Sequence, residues 1–83
     1  MEGTMNRNET KTKDLMEAAF LEAAGMDFLR VEPNGNGDFY FVFENRGECE
    51  ELSSSYWSGK AMVNAREFTR AVRDFKDIIF RNK

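Results

Sequence analysis

The run Phe39-Tyr40-Phe41-Val42-Phe43 stands directly behind the turn-forming stretch Pro33-Asn34-Gly35-Asn36-Gly37-Asp38, and no other feature limits the fold of this chain so tightly. Four aromatic residues and a β-branched one in five consecutive positions favour an extended strand, here from about Asp38 to Glu44. Alternation puts Phe39, Phe41 and Phe43 on one side and Tyr40 and Val42 on the other. Both sides are apolar, so both need cover. Upstream, Asp27 to Glu32 alternates as well, with Phe28, Arg30 and Glu32 on one face and Leu29 and Val31 on the other, as in a half-buried strand. Asn34-Gly35 between the two predicts a β-hairpin with a two-residue type I′ turn, and Asn36-Gly37 offers the same chemistry two residues on. A shift of two keeps every side chain on its face.

Helical periodicity surrounds the hairpin. Thr12 as N-cap, with Asp14 in the first turn, predicts a helix to Ala24 whose apolar face is Leu15, Met16, Ala19, Phe20 and Ala23. Gly25 follows as a left-handed stop, with Met26 placed to pack back on Leu21. Asn45-Arg46-Gly47 breaks the aromatic strand, and Glu48 to Ser58 predicts a second helix with Cys49, Leu52 and Tyr56 on one stripe and Gly59 as its stop. Asn64 with Glu67 three residues later starts the last helix, whose stripe is Phe68, Ala71, Val72, Phe75, Ile78 and Ile79. The expectation is one α+β domain over residues 12–81 in the order α-β-β-α-(β)-α, with the hairpin covered by the first and last helices and residues 1–11 forming a disordered tail. A lone hairpin is marginal in water, so either a third strand at Ala61–Val63 or pairing between two chains is expected.

Composition narrows the function classes. The chain has no histidine, which removes the commonest general base near neutral pH and the commonest zinc ligand. Its one cysteine, Cys49, excludes an intrachain disulfide, and three neighbouring glutamates disfavour its thiolate. No apolar run approaches the roughly 18–20 residues that span a bilayer, so no membrane span is expected. The formal net charge is −3. It is unevenly spread, because residues 59–83 hold seven basic and three acidic side chains while residues 31–58 hold one basic and six acidic.

Several segments are similar to a small family of bacteriophage, prophage and mobile-element proteins known only as a domain of unknown function. Thr12-Lys13-Asp14-Leu15 followed by Ala18-Ala19-Phe20-Leu21 and Gly25 resembles its opening helix, and Phe41-Val42-Phe43-Glu44 its central strand. Tyr56-Trp57-Ser58-Gly59, Val63-Asn64-Ala65-Arg66-Glu67-Phe68 and Phe75-Lys76-Asp77-Ile78-Ile79-Phe80 resemble its closing segments. The likeness covers residues 12–80 and implies a viral or prophage origin and a prokaryotic host cytoplasm. It implies no activity and no catalytic residues.

Each candidate site has a plainer structural alternative. The aromatic strand departs from an RNA-recognition strand, because Tyr40 stands where a small residue is needed, Glu44 replaces the last aromatic, and Gly37-Asp38 replaces the basic-Gly opening. It reads as a core strand, with Tyr40 and Val42 left as the place where a second chain would pair. Gly35-Asn36-Gly37 lacks the Lys-Ser/Thr and following helix of a phosphate-binding loop, so no cofactor is expected. Glu48 and Glu51 share a helix face beside Glu44 and Glu50, but their place in a first turn is explained by the helix dipole, and no metal is expected. Arg66, Arg70 and Arg73 fall within about 60° on the last helix, opposite its apolar stripe. With Lys60 and Lys76 they form the candidate nucleic-acid surface, although Glu67, Asp74 and Asp77 flank the row, as on the ordinary solvated face of an amphipathic helix. Trp57 and Phe80 lie off the apolar stripes of their helices; either caps the core edge from a helix end or serves as an anchor for a protein partner. The expected function is therefore non-enzymatic: a homodimeric accessory protein that binds another protein, with a nucleic-acid-binding regulator as the alternative.

Overall fold

The computed structural model describes residues 8–82. Three strands, β1 (Glu9–Thr12), β2 (Phe28–Pro33) and β3 (Phe39–Glu44), form an antiparallel sheet in the spatial order β1-β3-β2. The helices are α1 (Leu15–Ala23), α2 (Arg46–Trp57) and α3 (Ala65–Arg81). The class is α+β, with the aromatic strand at the centre of the sheet.

The third strand is β1, which covers the end of the stretch expected to be a tail and the predicted N-cap Thr12, while residues 61–63 belong to no strand; residues 1–7 of that tail lie outside the described residues. The four residues Glu9-Thr10-Lys11-Thr12 have no apolar side chain for a periodicity argument to detect. Their strand is specified by main-chain pairing to the free edge of β3, where Thr10 registers with Phe43 and Lys11 with Val42. The main chain of Asn8, just before β1, accepts a hydrogen bond from Arg46 N at 2.9 Å, tying the strand to the start of α2.

A bulge corrects the predicted faces of β2. The register shifts between Phe28, opposite Phe43, and Arg30, opposite Val42. One extra residue, Leu29, moves Phe28 to the same side as Val31, while Arg30 and Glu32 keep the other. The hairpin also differs from a two-residue turn. Pro33 pairs with Phe39, Asn34 N donates to Asp38 O at 3.1 Å, and both Gly35 and Gly37 take positive φ, so the two Asn-Gly pairs are spent on one five-residue loop.

Helix ends follow their local chemistry. Asp14, not Thr12, caps α1 by accepting from Glu17 N at 2.8 Å, and Thr12 Oγ1 accepts from Asp14 N at 3.1 Å. At the other end Met26 N reaches Leu21 O and Gly25 N reaches Glu22 O, each at 3.0 Å, the paired closure expected of a left-handed glycine. α2 repeats that closure, with Lys60 N on Ser55 O and Gly59 N on Tyr56 O. It begins two residues before the predicted Glu48, because Asn45 makes the break alone at φ 71° while accepting from Glu48 N at 3.3 Å. Asn64 caps α3 as predicted, accepting from Glu67 N at 3.0 Å.

The core lies between one sheet face and the helices. The Phe75 ring stands 4.9 Å from both Phe28 and Phe41 and 6.3 Å from Phe43. Each such ring contributes about 1.5–3 kcal/mol by burial, and each aromatic pair about 0.5–1.5 kcal/mol more. Phe20 joins the same core but stacks on Tyr56 at 5.4 Å, and Phe68 packs at its margin.

Candidate functional site

Two charged surfaces lie on opposite sides of this core, and their geometry decides which is available. On the sheet side, Val42 has 0% exposure yet lies outside the helix-side core cluster, with Lys11 and Arg30 as its cross-strand neighbours. Arg30 forms ion pairs at 2.8 Å with Glu9 of β1 and with Glu32 of its own strand, and Lys11 reaches Glu32 at 3.0 Å. Lys11 Nζ also lies 5.3 Å from the centre of the half-buried Tyr40 ring. Long side chains with apolar stems thus roof Val42 while their charged heads neutralise one another in water. Hydrogen bonds from Lys11 and then Arg30 hold the Glu32 carboxyl below its ordinary range. The second face of the hairpin is covered by its own chain, which removes Val42 as a surface residue and leaves Tyr40 at the edge of a charge-satisfied roof.

The opposite surface is the outer side of α3. Arg66, Arg70 and Arg73 come together there with Thr69 around a shallow depression of about 440 Å³. Arg70 approaches Glu67 at 3.8 Å, whereas Arg66 and Arg73 have no carboxylate partner among the described residues. Helix spacing places Phe80 about 40° from Arg66 and Lys76 about 80° from it, so a basic strip and an exposed aromatic share one face. Lys60 is separate, in the link before α3.

Phe80 is 81% exposed and Trp57 63%, the latter set edge-on to Tyr56 at 5.0 Å. Met62, at 91% the most exposed of the large apolar residues among the described ones, was missed by sequence reasoning, because a single apolar residue in an extended link carries no period. Trp57 and Met62 precede α3 and Phe80 lies about 22 Å along it from Ala65, so the two candidate anchors are not assigned to one continuous patch.

Between α1 and α3 a cleft of about 390 Å³ opens, with Glu22, Asp27 and Asp74 at its rim and Met26, Phe28 and Phe75 in its lining. Burial, then Asp74, then Asp27, push the Glu22 carboxyl above its ordinary range. Cys49 is buried, its thiol donates to Glu44 O at 3.4 Å, and burial followed by Glu48, Glu17 and Glu50 raises its pKa to about 11. Glu48 is tied to Asn45 by a hydrogen bond at 3.1 Å, and no group of three or more His, Cys, Asp or Glu among the described residues is placed to hold a metal ion. Among the described residues no helix is long and apolar enough to cross a membrane.

Residues 7–81 match the family described as Domain of unknown function, DUF5659. The chain belongs to the DUF5659 family. Neither the curated proteins nor the solved structures give a match. The DUF5659 match starts ahead of Glu9, so β1 is part of the family's domain, along with the arginine strip and the acidic cleft.

Proposed function

We propose that this DUF5659 chain is a small, non-enzymatic accessory protein of phage or prophage origin that acts in the cytoplasm of a prokaryotic host, as a homodimer, by binding another protein. The reading is carried by Trp57 and Phe80, two large aromatics left mostly in solvent by a domain whose other rings are packed. Solvent-exposed aromatics of this kind supply most of the binding energy at protein interfaces once a partner desolvates them. The origin and compartment rest on the resemblance to phage and prophage proteins. Affinity capture from host lysate with wild type, Trp57→Ala and Phe80→Ala tests it. A partner held at least about tenfold more weakly by one variant of unchanged circular dichroism supports the reading. Equal capture by all three removes it.

One observation favours a second reading, nucleic-acid binding through Arg66, Arg70 and Arg73 with Lys60 and Lys76: two of the three arginines have no carboxylate partner among the described residues. A fluorescence titration with duplex and single-stranded DNA decides it. Binding at low salt that Arg70→Ala weakens, and that falls steeply as salt rises, is the expected result; no binding at low salt ends it.

A further inference from the structure

A basic strip on α3, Arg66, Arg70 and Arg73 with Asp77 among them by helix spacing, lies beside an acidic cleft rim made by Asp74 of α3, Glu22 of α1 and Asp27. Arg66 and Arg73 lack carboxylate partners, and Glu22, Asp27 and Asp74 around the neighbouring cleft lack cationic ones, among the described residues. Helix geometry puts Asp74 about 100° around α3 from Arg73 and about 1.5 Å along it, so the two strips run at the same height.

We propose that the occupant of the α1/α3 cleft is Arg73 from the arginine strip of a second copy of this chain. The two strips complement each other in charge, and the cleft's apolar lining suits the methylene stem of an arginine whose head meets the rim carboxylates. A two-fold axis running along α3 sets two α3 helices side by side in parallel. Such an axis presents Arg73 of each copy to Asp74 and Glu22 of the other, and it also brings Arg70 of the two copies face to face, each with Glu67 beside it at 3.8 Å. Both contacts then form together, and association closes at two. The crowding that raises the Glu22 carboxyl is relieved when a guanidinium enters. Each copy carries a net −3, so this contact works by local complementarity against a mild overall repulsion.

This inference rests on the homodimer named above and assigns its surface. Sedimentation equilibrium of the full chain tests it at about 50 mM and about 1 M salt, between which the screening length falls to about 3 Å. The expected result is a dimer whose dissociation constant rises at least about tenfold at high salt. Arg73→Glu and Asp74→Arg should each give monomer at low salt. The double variant Arg73→Glu/Asp74→Arg should dimerise again, more weakly than wild type, since the exchange restores opposite signs between positions 73 and 74 while Glu22 of the other copy now faces a carboxylate. That restoration excludes misfolding of the single variants as the cause. A dimer indifferent to salt and to all three variants keeps the homodimer and overturns this interface. A monomer throughout overturns both.

Discussion

The outer face of the sheet and the outer face of α3 are both rich in charge, yet one is closed and the other open. On the sheet, cross-strand alternation brings Glu9, Lys11, Arg30 and Glu32 together from two strands on either side of β3, and opposite signs meet at 2.8–3.0 Å. On α3, spacings of three and four residues bring Arg66, Arg70 and Arg73 together, and like signs meet. The same residue types therefore form a roof in one place and, in the other, a strip in which Arg70 alone approaches a carboxylate, Glu67 at 3.8 Å. What separates them is the geometry of the element that carries them.

The largest test of that contrast is to place a carboxylate on each face. Val42→Glu buries a charge beneath the roof, where no cation can reach it without breaking the Arg30 and Lys11 pairs. A buried unpaired carboxylate costs on the order of 3–5 kcal/mol, enough to unfold much of a domain this small. Thr69→Glu sets its carboxylate three residues after Arg66 and four before Arg73 on exposed helix. That change should shift stability by no more than about 0.5 kcal/mol, in the stabilising direction. Urea denaturation of the two variants measures both. Comparable losses would show that the α3 face is not an open one.

A smaller separation comes from removing one cation at a time. Arg30→Ala deletes two ion pairs and part of the cover over Val42, so its thermal midpoint should fall clearly. Arg73→Ala deletes no ion pair seen among the described residues, and its midpoint should match wild type when both are measured at high salt. Equal midpoints would mean that the roof over Val42 is held by its apolar stems and not by the charges.

This division explains which parts of the molecule were legible in the sequence. Phe41, Phe43 and Phe75 announce their burial through strand and helix periods, and Gly25, Gly59 and Asn64 mark helix ends through their own backbone chemistry. The arginine strip is equally local, since helix spacing alone assembles it. β1 was illegible because a polar four-residue strand is defined only by its partner, and Phe28 was put on the wrong face because a bulge breaks the alternation on which face assignment depends. The roof and the acidic cleft need register between residues far apart in sequence. Arg30 and Glu9 are 21 positions apart and meet only through β3. Whether a charge is satisfied was thus invisible until the strands were paired.

The finest test uses pH, because the sheet face and the acidic cleft beside α3 should respond with opposite sign. Glu32 has a folded pKa below its unfolded value, so its contribution is present above the unfolded carboxylate range and is lost as pH falls through the depressed folded value. Glu22 has a folded pKa above its unfolded value, so its contribution is present below the unfolded range and is lost as pH rises through the raised folded value. Stability measured by urea from about pH 7 down to about pH 3 should then fall less steeply in Glu32→Gln than in wild type, since the group that loses its contribution is gone. In Glu22→Gln it should start higher at neutral pH and fall more steeply, since the group that gains from protonation is gone. Both changes are modest, because both carboxylates remain in contact with water. If the two variants altered the slope in the same direction, the satisfied roof and the crowded cleft would not be electrostatic opposites, and the contrast between the two faces would rest on packing alone.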